Sequence, residues 1–180
     1  MSIFSTETRY GSPAQLLHWL TAILVLFAFI VAEGGPPSRV YGAANAANLQ
    51  LHETLGLSVF VLVLVRLVWR SFDRTPADPP MPGWMALASR VSHWALYALL
   101  LLVPLTALLG TQFAGHAVTT YFGTFGPVFQ SWQGGAELAE IHGTLGDAII
   151  WLAGLHAAAA IYHHVVLRDR VLKTMLPGNS

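Results

Sequence analysis

Apolar residues are grouped into four long runs, separated by polar connections rich in glycine and proline. Each run has close to the ~20 residues that an α-helix needs to cross the hydrocarbon core of a bilayer. The runs are Ala14–Ala32, Leu49–Trp69, Val91–Leu109 and Leu138–Leu167. With their flanking residues they predict helices at about 13–32, 49–70, 84–110 and 137–167. The pattern predicts an all-α protein, a transmembrane four-helix bundle in which residues 1–180 form a single membrane-embedded domain.

The composition agrees with a membrane protein. The chain is 54% hydrophobic and 10% charged, whereas about 25% of the residues in a typical soluble domain are charged. The first apolar run is longer than the core of a usual signal peptide and contains His18. We therefore expect it to be retained as the first helix.

The basic residues predict the orientation of the bundle. Four spans place both termini on one side, and eight of the nine basic residues fall on that side, with only Arg39 in the opposite loops. Cytoplasmic loops carry such an excess, so we expect both termini to be cytoplasmic. The eight basic residues on the side of the termini are Arg9, Arg66, Arg70, Arg74, Arg90, Arg168, Arg170 and Lys173. The chain contains no block of like charge that would indicate a nucleic-acid partner.

Two histidines of the last run, His142 and His156, are separated by fourteen residues. This is almost a whole number of helical turns, so both imidazoles lie on nearly the same face, roughly 21 Å apart along the axis. A histidine inside a membrane is costly unless it has a partner. One helix therefore offers a candidate ligand near each side of the bilayer.

A repeated motif suggests the partner of His142. The pattern His-x-Thr-Leu-Gly occurs at His52–Gly56 and again at His142–Gly146, at the same depth below the loops opposite the termini. The glycine one turn along leaves room for a flat macrocycle against the backbone. Two facing histidines at one depth are the geometry of a bis-histidine haem.

A second plane is expected near the side of the termini. His18 lies about level with His156 and is the preferred partner, but a second His-Trp pair makes His93 an alternative. His18 is favoured because it lies a full turn inside an uninterrupted apolar span, whereas Arg90 places His93 near a charged boundary. The chain has no cysteine, so thiolate ligation and covalent attachment through a C-x-x-C-H motif are excluded.

These residues resemble those of the bacterial cytochrome b561 family of four-helix, two-haem electron carriers. The resemblance covers essentially the whole chain and is most specific in helix four, from His142-Gly-Thr-Leu-Gly to the pair His163 and His164. It implies haem b bound by His18 and His156 near the cytoplasm and by His52 and His142 near the outside. It also implies a bacterial inner membrane location and electron exchange with quinone. Some members resemble superoxide oxidases that pass an electron to ubiquinone.

Three further residues are candidates for cofactor binding. Arg66 lies fourteen residues after His52, hence near the cytoplasmic plane, where it either pairs with a haem propionate or reaches the headgroups. His163 and His164 lie at the cytoplasmic exit of helix four, where a quinone carbonyl needs a hydrogen-bond donor. Histidines that simply face lipid headgroups are the competing interpretation for this pair.

The sequence favours transmembrane electron transfer through two haems, with a quinone or another redox partner at one face. A second hypothesis makes the chain the cytochrome subunit of a larger dehydrogenase or hydrogenase. A third is a haem-free scaffold or metal carrier, although few carboxylates accompany either histidine pair to hold zinc. The outer loops should attract the superoxide anion only weakly, because they contain Arg39 and His116 but also four glutamates, Glu33, Glu53, Glu137 and Glu140.

Overall fold

The computed structural model describes residues 2–32, 46–77, 79–128 and 134–177. Four long helices dominate this part of the chain, each long and apolar enough to cross a membrane. A two-stranded sheet and a short C-terminal helix complete the fold. The elements are α1 (Ser12–Ala32), α2 (Ala46–Phe72), α3 (Gly83–Phe113), β1 (Val118–Thr120), β2 (Gly123–Phe125), α4 (Gly134–Tyr162) and α5 (Val171–Met175).

The four long helices form two antiparallel pairs. α1 packs mainly against α2, and α3 mainly against α4, with less contact between the pairs. The small core where the pairs meet contains Val59, Val63, Leu100 and Ile149. Large apolar side chains such as Trp151 and Leu155 are exposed on the outer surfaces. Such a surface suits a bundle that is surrounded by lipid, because lipid takes the place of water against it.

A β-hairpin between α3 and α4 is an addition to the predicted all-helical architecture. β1 and β2 pair antiparallel, with Val118 opposite Phe125. Val118 and Thr120 are buried against the bundle, whereas Thr119 between them is exposed, as expected for alternation along a strand. The described part of the segment between α3 and α4 therefore covers one end of the bundle, while its aromatic residues Phe129 and Trp132 lie outside the described residues.

The hairpin is fastened to the first turns of α2. The Thr119 amide donates to the Glu53 carboxylate at 2.6 Å, and the Tyr121 amide donates to the Thr54 hydroxyl at 3.0 Å. The Gln50 side chain donates to the Thr120 carbonyl at 3.3 Å. The hairpin therefore lies beside the turn of α2 that carries His52.

Both termini meet at the other end of the bundle. The Trp19 indole donates to the carbonyl of Met175 at 2.8 Å. The Asp73 carboxylate accepts bonds from the amide and the hydroxyl of Ser5 and from the Trp69 indole. Partial burial opposes ionisation of Asp73, but these bonds prevail and lower its pKa. We call this end of the bundle the terminus side.

The sequence pattern predicts an α-helix through the last turn of the fourth span, but the structure differs there. α4 ends at Tyr162, and residues 163–167 form a π-helical turn. The amides of Arg168 and Asp169 both donate to the His163 carbonyl, which widens the turn, and Arg168 adopts a left-handed conformation (φ 56°). Satisfying the carbonyls at the end of the helix in this way reverses the chain toward α5.

Candidate haem-binding sites

His52 and His142 face each other away from the terminus side. Their ring centroids are 5.9 Å apart and the rings are nearly perpendicular, at 77°. α2 supplies one ring and α4 the other, so the pair joins the two helix pairs. The depth relation predicted from the repeated motif therefore corresponds to a close approach in space.

Main-chain carbonyls hold both rings. His52 Nδ1 donates to the carbonyl of Ala28 on α1 at 2.9 Å. His142 Nδ1 donates to the carbonyl of Val103 on α3 at 2.8 Å. Because Nδ1 carries the proton in each ring, Nε2 retains its lone pair as a possible metal ligand. The sequence gives no signal for these acceptors, since every helical residue has a carbonyl group.

A cavity of about 370 Å³ opens between the two helix pairs around these histidines. Its walls include apolar side chains of all four helices and the glycines of the repeated motif. A Cβ atom added at Gly56, Gly143 or Gly146 would meet nothing within 4 Å. The backbone at these positions therefore borders open space, as a flat ligand against the helices requires.

Three histidines gather at the second depth. The rings of His18 and His156 have centroids 6.4 Å apart, and those of His93 and His156 are 5.3 Å apart. His18 is half-buried and His93 is exposed. The structure thus brings His156 together with both of the partners that the sequence proposes.

Arg66 lies in the same layer. Its guanidinium donates to His18 Nδ1 at 3.2 Å and lies 5.5 Å from the ring centroid of Tyr97. A ring that accepts at Nδ1 carries its proton on Nε2, so His18 needs the other tautomer before Nε2 can bind iron. The position of Arg66 could be predicted from the depth that it shares with His18, but its hydrogen bond to His18 could not.

His163 and His164 lie in the π-helical turn on the terminus side, below His156. His163 Nδ1 and the Asp169 carboxylate are 2.5 Å apart. His164 Nδ1 is buried without a hydrogen-bond partner among the described residues. In the whole of the described structure, no group of three or more His, Asp or Glu side chains is placed to hold a metal ion.

Four apolar helices that pair histidines at two depths define a helical membrane protein of the cytochrome b type. A match to the family described as prokaryotic cytochrome b561 extends over residues 9–178. The chain belongs to this family. The resemblance noted in the sequence is therefore confirmed.

Curated relatives match along nearly the whole chain. Cytochrome b562 of Cereibacter sphaeroides is 34% identical, over 94% of this chain and 96% of the relative. Cytochrome b561 homolog 2 of Escherichia coli K12 is 28% identical, over 100% and 97%. The probable superoxide oxidase CybB of Yersinia pestis is 29% identical, over 94% and 96%. The protein is thus a haem b-binding oxidoreductase of membrane electron transfer, embedded in a prokaryotic membrane.

The residues present fit haem b. Imidazole nitrogens bind transition metals at about 2 Å, so two trans imidazoles on one iron have ring centroids about 6 Å apart. The separations of 5.9 Å and 6.4 Å in the two pairs are close to that value. Free Nε2 atoms at His52 and His142 and open space beside the glycines complete the fit at the first pair.

Proposed function

We propose that this protein carries electrons across the bacterial inner membrane between two haem b groups, with both termini in the cytoplasm. The supporting observation is the pairing of histidines at two depths, His52 with His142 and His18 with His156. The two pairs are separated by roughly 21 Å along α4, the distance between His142 and His156. We assign this activity to residues 1–180 as a single domain.

The four histidines would hold haem b, and haem b would supply the one-electron carrier at each pair. At the outer pair, the bonds to Ala28 and Val103 orient the rings and hold each proton on Nδ1. Such bonds raise the basicity of the ligating nitrogen. The apolar cavity walls exclude water, which tunes the redox potential.

At the terminus-side pair, Arg66 would turn from His18 to a haem propionate. A guanidinium forms charge-assisted bonds with a carboxylate, and its release lets His18 Nδ1 carry the proton. His93 is the competing ligand for His156, since its ring is also near. His18 is preferred, because its ring is half-buried and its separation from His156 is nearer to the value of about 6 Å at which two imidazoles would hold one iron.

Ubiquinone is proposed as the electron partner on the terminus side, near His163 and His164. The unpartnered Nδ1 of His164 supports this assignment, because a quinone oxygen would satisfy that atom. Asp169 would hold the His163 ring in position through the contact between its carboxylate and His163 Nδ1.

Superoxide is a candidate electron donor at the outer face. A relative that matches 94% of this chain is named a probable superoxide oxidase. Exposed His116 is one positively ionisable group on that face, while Arg39 lies outside the described residues.

If a larger dehydrogenase or hydrogenase supplies the electrons instead, the protein will copurify with further subunits.

The deciding experiment measures haem content and reducibility in the purified protein. We expect about two haems b per chain and b-type absorption bands after reduction with dithionite or ubiquinol. Superoxide generated beside the protein should reduce the haems and then ubiquinone. One haem per chain would reject the two-plane arrangement, and colourless protein after expression with ample haem would reject the electron-transfer proposal. Reduction by dithionite but not by ubiquinol would reject quinone coupling alone.

A further inference from the structure

A second, much smaller cavity lies between the helices on the terminus side. It measures about 30 Å³ and is lined by three arginines, Arg66, Arg70 and Arg74, together with Tyr97 and Asp73. α1, α2 and α3 all contribute to its walls. The cavity is separate from the one around His52 and His142.

Two of the arginines approach the same aromatic ring. The guanidinium carbons of Arg66 and Arg70 lie 5.5 Å and 5.7 Å from the ring centroid of Tyr97. Arginine readily packs on aromatic faces, but two cations on one ring repel each other. Among the described residues, no arginine lies within ion-pair distance of a carboxylate. The one ion pair in this part of the chain joins His163 and Asp169.

Asp73 is already engaged and does not neutralise this charge. Its Oδ1 accepts from the Ser5 amide at 2.8 Å, and its Oδ2 accepts from the Ser5 hydroxyl at 2.5 Å and from Trp69 at 3.2 Å. With three arginines and one aspartate, the formal charge around the cavity is +2. If Arg66 pairs with a haem propionate as proposed above, Arg70, Arg74 and Asp73 still leave a charge of +1, which an anion of one charge would balance.

The Tyr97 hydroxyl is a second sign of a missing ligand. Its oxygen is buried and has no hydrogen-bond partner among the described residues. Leaving a buried hydroxyl unsatisfied costs free energy, and native proteins rarely do so. An oxygen-bearing anion between the arginines would accept a hydrogen bond from this hydroxyl.

We propose that this arginine–tyrosine cavity binds the phosphate of a phospholipid headgroup. The cavity lies beside the end of α2, where Arg70 and Arg74 follow the apolar run that ends at Trp69, and this is the depth of headgroups in a bilayer. Basic pockets between transmembrane helices are known to hold anionic lipids in this way. Phosphatidylglycerol suits the site better than phosphatidylcholine, because it adds a net negative charge.

The test compares lipid retention by native mass spectrometry of the haem-loaded protein, with equal amounts of phosphatidylglycerol and phosphatidylcholine. Arg70→Gln removes one cation, and Tyr97→Phe removes only the unpartnered hydroxyl. Arg90→Gln is the matched control, because Arg90 is exposed and bonds to Ala86 in its own helix. We expect phosphatidylglycerol binding to fall about tenfold in Arg70→Gln, less in Tyr97→Phe, and not in Arg90→Gln.

Other outcomes would overturn the proposal. Equal binding by all four proteins, or equal losses in Arg70→Gln and Arg90→Gln, would show only diffuse attraction to basic residues. If Arg70→Gln and Tyr97→Phe release haem but keep the lipid, the anion is a haem propionate. If inorganic phosphate protects the protein against heating through these residues while lipid does not, the ligand is free phosphate. If Arg70→Gln fails to fold, Tyr97→Phe decides the question.

Discussion

His52 and His142 approach to 5.9 Å between ring centroids although they lie on different helix pairs. Each ring donates to the helix with which its own helix is paired, His52 to α1 and His142 to α3. Each helix pair therefore presents one oriented imidazole to the gap between the pairs. A ligand that joins the two imidazoles would also join the two halves of the bundle.

Removing either His52 or His142 should cost one haem. We predict that His52→Ala or His142→Ala lowers the haem content by about one per chain, because each pair serves a separate depth. Haem content is measured from pyridine haemochrome spectra and protein mass. His116→Ala, at an exposed position near the hairpin, should retain both haems. Loss of both haems from His52→Ala would instead indicate collapse of the bundle.

The terminus-side ligand can be identified by comparing His18→Ala with His93→Ala. We predict that His18→Ala loses about one haem and that His93→Ala retains both, because His18 lies nearer the ligand separation of about 6 Å. Haem stoichiometry and the low-spin spectrum of the oxidised protein provide the measurement. The reverse pattern would make His93 the ligand and leave His18 as the partner of Arg66.

Filling the space beside Gly56 should exclude haem without unfolding the helix. A Cβ atom at this position meets nothing within 4 Å, and replacing a helical glycine by leucine gains up to about 1 kcal/mol of helix propensity. We predict that Gly56→Leu loses the haem that His52 and His142 would hold, while the thermal stability of the haem-free protein is at least maintained. Gly83→Leu, at another open position away from the cavity, should keep both haems. Equal haem content in the two variants would argue against a macrocycle at Gly56.

The spans and the histidine depths were predictable because a bilayer imposes a length and a polarity on each helix. Once four apolar runs are in register, His52 must lie level with His142, and Arg66 near His18. The hairpin was not predictable, because strands of three residues at 118–120 and 123–125 are too short for a clear alternation. Its position depends on contacts to Glu53 and Thr54, which no local pattern indicates.

The end of α4 was missed for a related reason. Residues 163–167 continue the apolar pattern, so the sequence predicts a helix to Leu167. The π-helical turn arises from two amides that share the His163 carbonyl and from the contact between His163 and Asp169. These are capping interactions between residues close in sequence, and they outweigh the periodic signal.

Stability at this turn should depend on pH through Asp169. Slight burial opposes ionisation of this carboxyl, but hydrogen bonds from His163 and from the Val171 amide prevail and lower its pKa. The stabilisation is therefore complete above the pKa of an unfolded aspartate, about 3.9, and is lost as the pH falls through the lower folded value. We predict that Asp169→Asn lowers the free energy of unfolding by up to about 1 kcal/mol at neutral pH.

The check is thermal unfolding of both proteins in detergent at neutral pH and at a pH below the folded pKa of Asp169. The difference between them should vanish at the acidic end, since the carboxyl is then protonated in both states. A difference that persists unchanged in acid would mean that the asparagine acts through shape and not through charge.

The hairpin should loosen when its carboxylate anchor is removed. Glu53 accepts from the Thr119 amide, and a hydrogen bond to a charged group contributes about 1.5–3 kcal/mol. We predict that Glu53→Ala speeds hydrogen exchange at Thr119 by about tenfold or more, whereas Glu53→Gln, which keeps an acceptor oxygen, speeds it less. Glu137→Ala alters an exposed carboxylate in the first turn of α4 and serves as the control. Unchanged exchange in Glu53→Ala would mean that Gln50 and Thr54 hold the hairpin without the carboxylate.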